Sequence, residues 1–409
     1  MKRIAILGAG TAGTMMANRL QKSLGPRGWT ITVFDRDNDH IYQPGLLFVP
    51  FGDYSPEEIV RPRRYFVDAE VELRIEPIAG VDPTKKQIAL GSGETVDYDI
   101  LVVATGSRIV PEAVEGLTGP GWQTTAFDFY TLDGARKLAE KLAQFKGGRV
   151  VVHIAEMPIK CPVAPLEFAY LADAFFTKRG IRDKVEMQYV TPLDGAFTKP
   201  KAAAAFGSMM ADRGIEVVSD FLVEKVDGER AVMTSYDGRA ISYDLLVTVP
   251  PHQGSALISE SGLGDDSGWL PVDKHTLQSR HYPEIFGLGD ATDVPASKAG
   301  SVAHFQGEVL AENIVRYTEG LELLPDFDGH ANCFIETGYG KAMLIDFNYD
   351  TEPLPGRYPL PGVGPFTLLE ESRMNHWGKL GFRWVYWNML LPGDDLPVDH
   401  RMVLAGKWA

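Results

Sequence analysis

The sequence predicts an α/β protein with two Rossmann-like domains and an amphipathic C-terminal region, because three strand-then-glycine signatures recur along it in a set order. The first is the apolar run Ile4, Ala5, Ile6, Leu7, followed at once by Gly8, Ala9, Gly10, Thr11, Ala12 and Gly13. The second is an apolar strand over 99–103 that ends in Ala104, Thr105 and Gly106. The third is Ile285, Phe286, Gly287, Leu288, Gly289 and Asp290.

Each residue type has a physical reason to be there. Gly8 makes the tight turn, Gly10 lets backbone approach a pyrophosphate, and Gly13 lets the helix over 14–24 pack on the strand. The free N–H groups at that helix start suit phosphate. The next strand, 31–34, ends in Asp35, with Arg36 after it. An acid about twenty positions on is placed to accept from ribose hydroxyls. The stretch 42–52 is broken by proline and glycine and reads equally as a loop near a cofactor or as plain packing. Strands over 71–74 and 86–90 suggest a small meander.

The middle of the chain departs from the pattern. A helix is predicted over 134–145 from the spacing of Ala135, Leu138, Ala139, Leu142 and Phe145. A strand over 150–155 follows, where a second glycine loop belongs. Instead come Glu156, Met157, Pro158, Ile159, Lys160, Cys161 and Pro162, with two prolines and no glycine. A tight nicotinamide-nucleotide site is not expected from that loop. Cys161 precedes a helix predicted over 166–178, and a helix start beside Lys160 favours the thiolate. Further strand and helix pieces fall over 180–190, 214–218 and 244–249. His252 and His304 read first as satisfied or surface histidines and second as proton carriers.

After Asp290, Lys298, Ala299 and Gly300 lead into a helix over 302–317. The only other cysteine, Cys333, lies in Asn332, Cys333, Phe334, Ile335, Glu336. Two cysteines in 409 residues are no disulfide scaffold; they are inert buried thiols or a specific redox pair. In the tail, Trp377, Leu380, Trp384, Trp387 and Leu391 fall on one predicted helical face, with Lys379 and Arg383 off it. That pattern suits a membrane interface or a contact helix.

Composition narrows the classes. Forty basic against 55 acidic residues give a net charge of −15, which argues against a nucleic-acid surface. No run of roughly 18 apolar residues predicts a spanning helix, and the N-terminus carries no secretion-signal pattern. No metal-ligand spacing stands out.

Taken together these landmarks resemble the sulfide:quinone oxidoreductases, over nearly the whole chain. The most specific matches are the blocks 161–167, 289–300 and 332–336. The resemblance implies a glutathione-reductase-type fold: an FAD domain in two parts (1–106 and 285–328), a second Rossmann-like domain (107–284), and a quinone and membrane region (329–409). It implies Cys161, Cys333, Glu167 and Lys298 as the catalytic set, Glu167 as a proton shuttle and Lys298 as a stabiliser of flavin charge. It implies FAD held by Gly8, Gly10, Thr11, Ala12, Gly13, Asp35, Arg36, Ala104, Thr105, Gly106, Gly289, Asp290, Lys298 and Ala299. Quinone is expected against Phe334, Ile335, Trp377, Phe382 and Trp384. Hydrosulfide is the expected donor, on a peripheral, monotopic membrane protein that can form homo-oligomers. Some members attach FAD through a cysteine before the middle domain's first helix; 122–131 has none, so the expectation is non-covalent FAD. The alternatives are a flavocytochrome c-type sulfide dehydrogenase flavoprotein, a type II NADH:quinone oxidoreductase and a non-catalytic FAD-bearing redox sensor.

Overall fold

The computed structural model describes residues 2–408. In order come β1 (Lys2–Leu7), α1 (Thr11–Leu24), β2 (Trp29–Asp35) and β3 (Glu72–Ile75), then an antiparallel meander and β4 (Ile100–Val103). The chain then builds β5 (Ala126–Phe127), α2 (Leu132–Gln144), β6 (Gly148–Ile154), α3 (Ala164–Lys178), β7 (Val185–Val190), α4 (Pro200–Asp212), β8 (Ile215–Val218) and β9 (Leu245–Val249). It returns with β10 (Ile285–Gly287) and α5 (Gly300–Thr318). The tail adds β11 (Ala331–Gly338), β12 (Lys341–Phe347), β13 (Gly356–Leu360), β14 (Gly364–Leu368) and α6 (Arg373–Val385).

Two parallel sheets result, ordered β10-β4-β1-β2-β3 and β5-β9-β6-β7-β8. β4 and β9 are buried at every position, as strands covered on both faces must be. That is why both read in the sequence as unbroken apolar runs. β10 pairs with β4 in parallel, so the late strand completes the sheet begun by the first residues. The third sheet, β11-β12-β14-β13, is mostly antiparallel.

α3 begins at Ala164 and α5 at Gly300, each two residues before the apolar spacing suggested. At α3 the reason is Pro165 in the first turn, where its missing N–H costs nothing. α2 starts where Thr131 Oγ1 accepts the Gly134 N–H (3.0 Å).

α3 packs along β11, and Glu167 Oε1 accepts the Glu336 N–H at 2.8 Å. Cys161 precedes α3, and Cys333 lies three residues before Glu336. One helix-to-strand contact therefore brings distant parts of the chain to a single place.

Candidate functional site

The three glycine signatures converge. A Cβ on Gly8 would lie 2.6 Å from the Ala104 carbonyl oxygen and 3.1 Å from Thr105 Cα. Gly13 faces the Gly8 carbonyl so closely that a Cβ would sit 1.8 Å from it. Gly289, in the left-handed region at φ +66, approaches Ala12. A Cβ on Gly10 would meet nothing within 4 Å, as expected of the glycine whose backbone approaches a ligand. Around this point Thr105 Oγ1 is buried without a partner, and the Ser107 hydroxyl faces the Asp290 carboxyl. The Asp290 carboxyl is pushed upward by burial, with Lys298 and Lys160 pulling it back. An unpartnered hydroxyl and an enclosed acid fit the polyol and phosphate chain of FAD. Asp35 is held in place by the Ala9 N–H and the Arg36 N–H, both at 2.8 Å. The Arg36 side chain points to solvent, whereas Arg63, unmarked in the sequence, lies 3.3 Å from Asp35 and donates to the Ala9 carbonyl (2.5 Å).

Cys161 sits in the loop 155–163 with φ +46. Its N–H donates to the Lys298 carbonyl (2.6 Å) and its carbonyl accepts the Ala164 N–H (2.9 Å). Tyr130 Oη also donates to that carbonyl (3.1 Å). The helix start is thus satisfied by the backbone of Cys161, not by its sulfur. This corrects the expectation of a lowered thiol pKa: burial pushes Cys161 well up, Glu167 adds to the rise, and Lys379 opposes it. Burial likewise pushes Cys333 up to about 12. Both thiols are free, and the charge of Cys333 bears on Cys161. Both are partly accessible.

Lys298 differs from the expectation too. Its ammonium donates to the carbonyls of Thr292 (2.7 Å) and Asp290 (3.3 Å) over the Trp269 ring. Two of its three donors hold the Asp290 turn, and its own carbonyl holds Cys161. Lys298 joins two signatures by hydrogen bonds, leaving one donor for a ligand.

Glu167 is 1% exposed and pairs with Lys379 Nζ at 2.8 Å. Lys379 also donates to the Phe334 carbonyl (2.9 Å). Burial raises the Glu167 carboxyl, and Lys379 pulls it back. Burial alone would lower Lys379, but Glu167, Cys161 and Glu336 together hold it up. Glu167 Oε2 is buried with no partner. Beside this pair Glu336, also 1% exposed, meets His376 Nδ1 at 2.9 Å.

α6 turns its charged face inward. His376, Lys379 and Arg383 turn inward, onto Glu336, Glu167 and the Tyr54 ring with Glu58. Met374 (49% exposed), Trp377 (67%) and Trp384 (62%) turn outward. The predicted aromatic stripe therefore splits. After Trp384 a π-turn (Tyr386–Leu390) shifts the helical phase, and Trp387 and Leu391 enter the core. Trp387 packs on Phe66 (4.7 Å), while Tyr386 Oη lies 2.6 Å from both Thr11 Oγ1 and His40 Nε2. The five expected quinone contacts do not converge: Ile335 is sealed in the core, Phe334 packs on Phe366, Phe382 is half-buried, and the two tryptophans face out. His252 and His304 are buried beside the Pro250 carbonyl (3.0 Å) and Glu308 (3.1 Å).

The sequence signature of the pyridine nucleotide-disulphide oxidoreductases matches residues 2–307. The chain belongs to that family. The mouse mitochondrial sulfide:quinone oxidoreductase is 28% identical over 397 residues, spanning 95% of this chain and 86% of that protein. The Dictyostelium discoideum mitochondrial sulfide:quinone oxidoreductase is 29% identical, spanning 96% of this chain and 86% of that protein. The crystal structure of the sulfide:quinone oxidoreductase from Aquifex aeolicus superposes with a TM-score of 0.79 at 21% identity, covering 96% of this chain and 92% of that one. At that identity the superposition speaks to the fold alone.

For a pyridine nucleotide-disulphide oxidoreductase the Gly8–Gly13 contact carries a direct prediction. Gly13→Ala forces the turn open, so the purified variant is expected to retain less than half the flavin of the wild type. The ratio of flavin to protein absorbance measures this. Full retention would show that this turn does not hold the cofactor. Sequence reading missed Lys379, Glu336 and His376 as site residues. Glu336 stood inside the Cys333 block, and His376, Lys379 and Arg383 share the spacing of one helical face; those were the available signals.

Proposed function

We propose that this chain is a sulfide:quinone oxidoreductase that oxidises hydrosulfide at Cys161 and Cys333 and delivers two electrons, through FAD, to quinone. The observation that carries the reading is the joining of Cys161, Cys333 and Glu167 by the α3–β11 contact, in the loop where a nucleotide would otherwise bind. The names of the relatives point the same way.

Held on the glycine turns, FAD would supply a two-electron acceptor. The protein's share begins with a Cys161–Cys333 disulfide. Hydrosulfide attacks one sulfur, breaking the S–S bond and leaving a persulfide on one cysteine and a thiolate on the other. That thiolate and the persulfide would join into a sulfur-bridged pair with loss of one proton and of two electrons, for which bound FAD would be the acceptor. Glu167 Oε2, unpartnered and buried, accepts the proton. A second hydrosulfide carries the sulfur off and restores the disulfide. Quinone takes the two electrons and two protons. The outward face of α6, with Met374, Trp377 and Trp384, rests on a lipid surface where quinone dissolves. Among the described residues no helix is long and apolar enough to cross a membrane.

Anaerobic titration tests the reading. Sulfide is expected to bleach the bound flavin, a quinone analogue to restore it, and NADH to do neither. The protein is expected to co-float with vesicles. Bleaching by NADH but not sulfide would overturn the function, and failure to float would remove its membrane part.

A further inference from the structure

The sulfide chemistry proposed above releases its proton in an enclosed place. Glu167 lies at 1% exposure, next to two thiols that are only partly accessible. A route to water is needed for turnover. The residues around Glu167 supply one.

Resting on that reading, we infer that Glu336 and His376 form the proton-exchange path between Glu167 and bulk water. Glu336 is adjacent to Glu167, since its own N–H donates to Glu167 Oε1. Both carboxylate oxygens of Glu336 lie within 3.0 Å of His376 Nδ1. The His376 side chain keeps 24% of its surface exposed, so its ring joins a buried carboxylate to solvent. The hydrogen bond between them runs from the Glu336 backbone, so the carboxylate-to-carboxylate step is assigned to a bridging water. The proton leaves the persulfide S–H, rests on Glu167 Oε2, crosses to Glu336, and departs through the imidazole, whose second nitrogen releases a proton to water.

The charges facing Glu336 suit this. From α3 comes Glu167, from α6 come Lys379 and His376, and from the loop before Pro56 comes Tyr54. Asp53 in the same loop faces His376. Burial raises the Glu336 carboxyl to about 7, with His376 and Lys379 opposing the rise. A group that titrates near the working pH both accepts and releases protons readily.

The test uses FAD-loaded protein, rapid anaerobic mixing with saturating sulfide, and the rate of flavin bleaching from pH 5.5 to 8.5. Saturation keeps the ionisation of sulfide itself from setting the rate. The wild-type rate is expected to rise as pH passes through about 7, when Glu336 becomes able to accept. Glu336→Gln is expected to flatten that rise and slow bleaching roughly 10- to 100-fold at neutral pH. His376→Ala, on a partly exposed helix position, is expected to slow similarly and to recover when imidazole is added. Wild-type rates and pH profiles in both variants would overturn the path while leaving the sulfide reading intact. If Glu336→Gln does not fold, His376→Ala and its rescue decide alone: recovery with imidazole supports the path, and an undiminished rate or a slowed one without recovery overturns it. Should sulfide fail to bleach even the wild-type flavin, the function beneath the path falls first, and the path with it.

Discussion

Cys161→Ser is expected to leave the flavin oxidised when sulfide is added without air, a loss of roughly 10³-fold or more in bleaching rate. Serine is close in size, but its oxygen neither forms the disulfide that hydrosulfide must attack nor accepts sulfur. The dithiol fold has little reason to respond. The bonds that Cys161 makes to Lys298, Ala164 and Tyr130 all run through its backbone. The variant should therefore keep its flavin and melt within a few degrees of the reduced, dithiol wild type. Cys333→Ser should match it, because neither sulfur works alone. Stopped-flow bleaching with a thermal melt on the same sample makes the check. A single-cysteine protein that still bleaches at the wild-type rate would sink the two-cysteine mechanism.

The parts of the site that could be read from sequence are those where one residue type is physically required. Gly8 and Gly13 are fixed by close backbone contacts and Gly289 by its left-handed φ, so their spacing announced the cradle in advance. The all-apolar runs of β4 and β9 announced two covered parallel sheets. The proline-bearing loop before Cys161 announced a departure from nucleotide binding. The electrostatics were less legible. Helical spacing says which residues of α6 share a face, but not which face turns inward. The ordinary assumption puts lysine toward water and tryptophan toward protein or lipid; here Glu167 and Glu336, already buried by α3 and β11, draw Lys379 and His376 inward. The phase shift at the π-turn is equally invisible to a fixed period. The thiol expectation failed for a related reason. Proximity to a helix start is visible in sequence, but the backbone conformation that gives the capping contact to a carbonyl is not.

The inward-facing lysine leads to the second large effect. Lys379→Met should destabilise the protein by about 3–5 kcal/mol, the usual consequence of leaving one member of a buried ion pair alone. Glu167 would lose its charged hydrogen-bonding partner, and the Phe334 carbonyl its lysine donor. The carboxyl is already raised by burial with Lys379 opposing, so removing the lysine raises it further. A carboxyl raised in the folded state binds more protons there than in the unfolded chain. Its contribution is therefore most favourable below the unfolded value and falls as pH rises toward the folded one. Lys379→Met should accordingly be closer to wild-type stability near pH 5 than near pH 8. Adding Glu167→Gln removes the uncompensated charge, so the double variant should recover part of the loss and lose that pH dependence. Denaturant unfolding of the wild type, both single variants and the double variant at the two pH values completes the cycle. Strict additivity, with Lys379→Met equally weakened at both pH values, would mean that the pair is solvent-screened and does not organise the surroundings of the thiols.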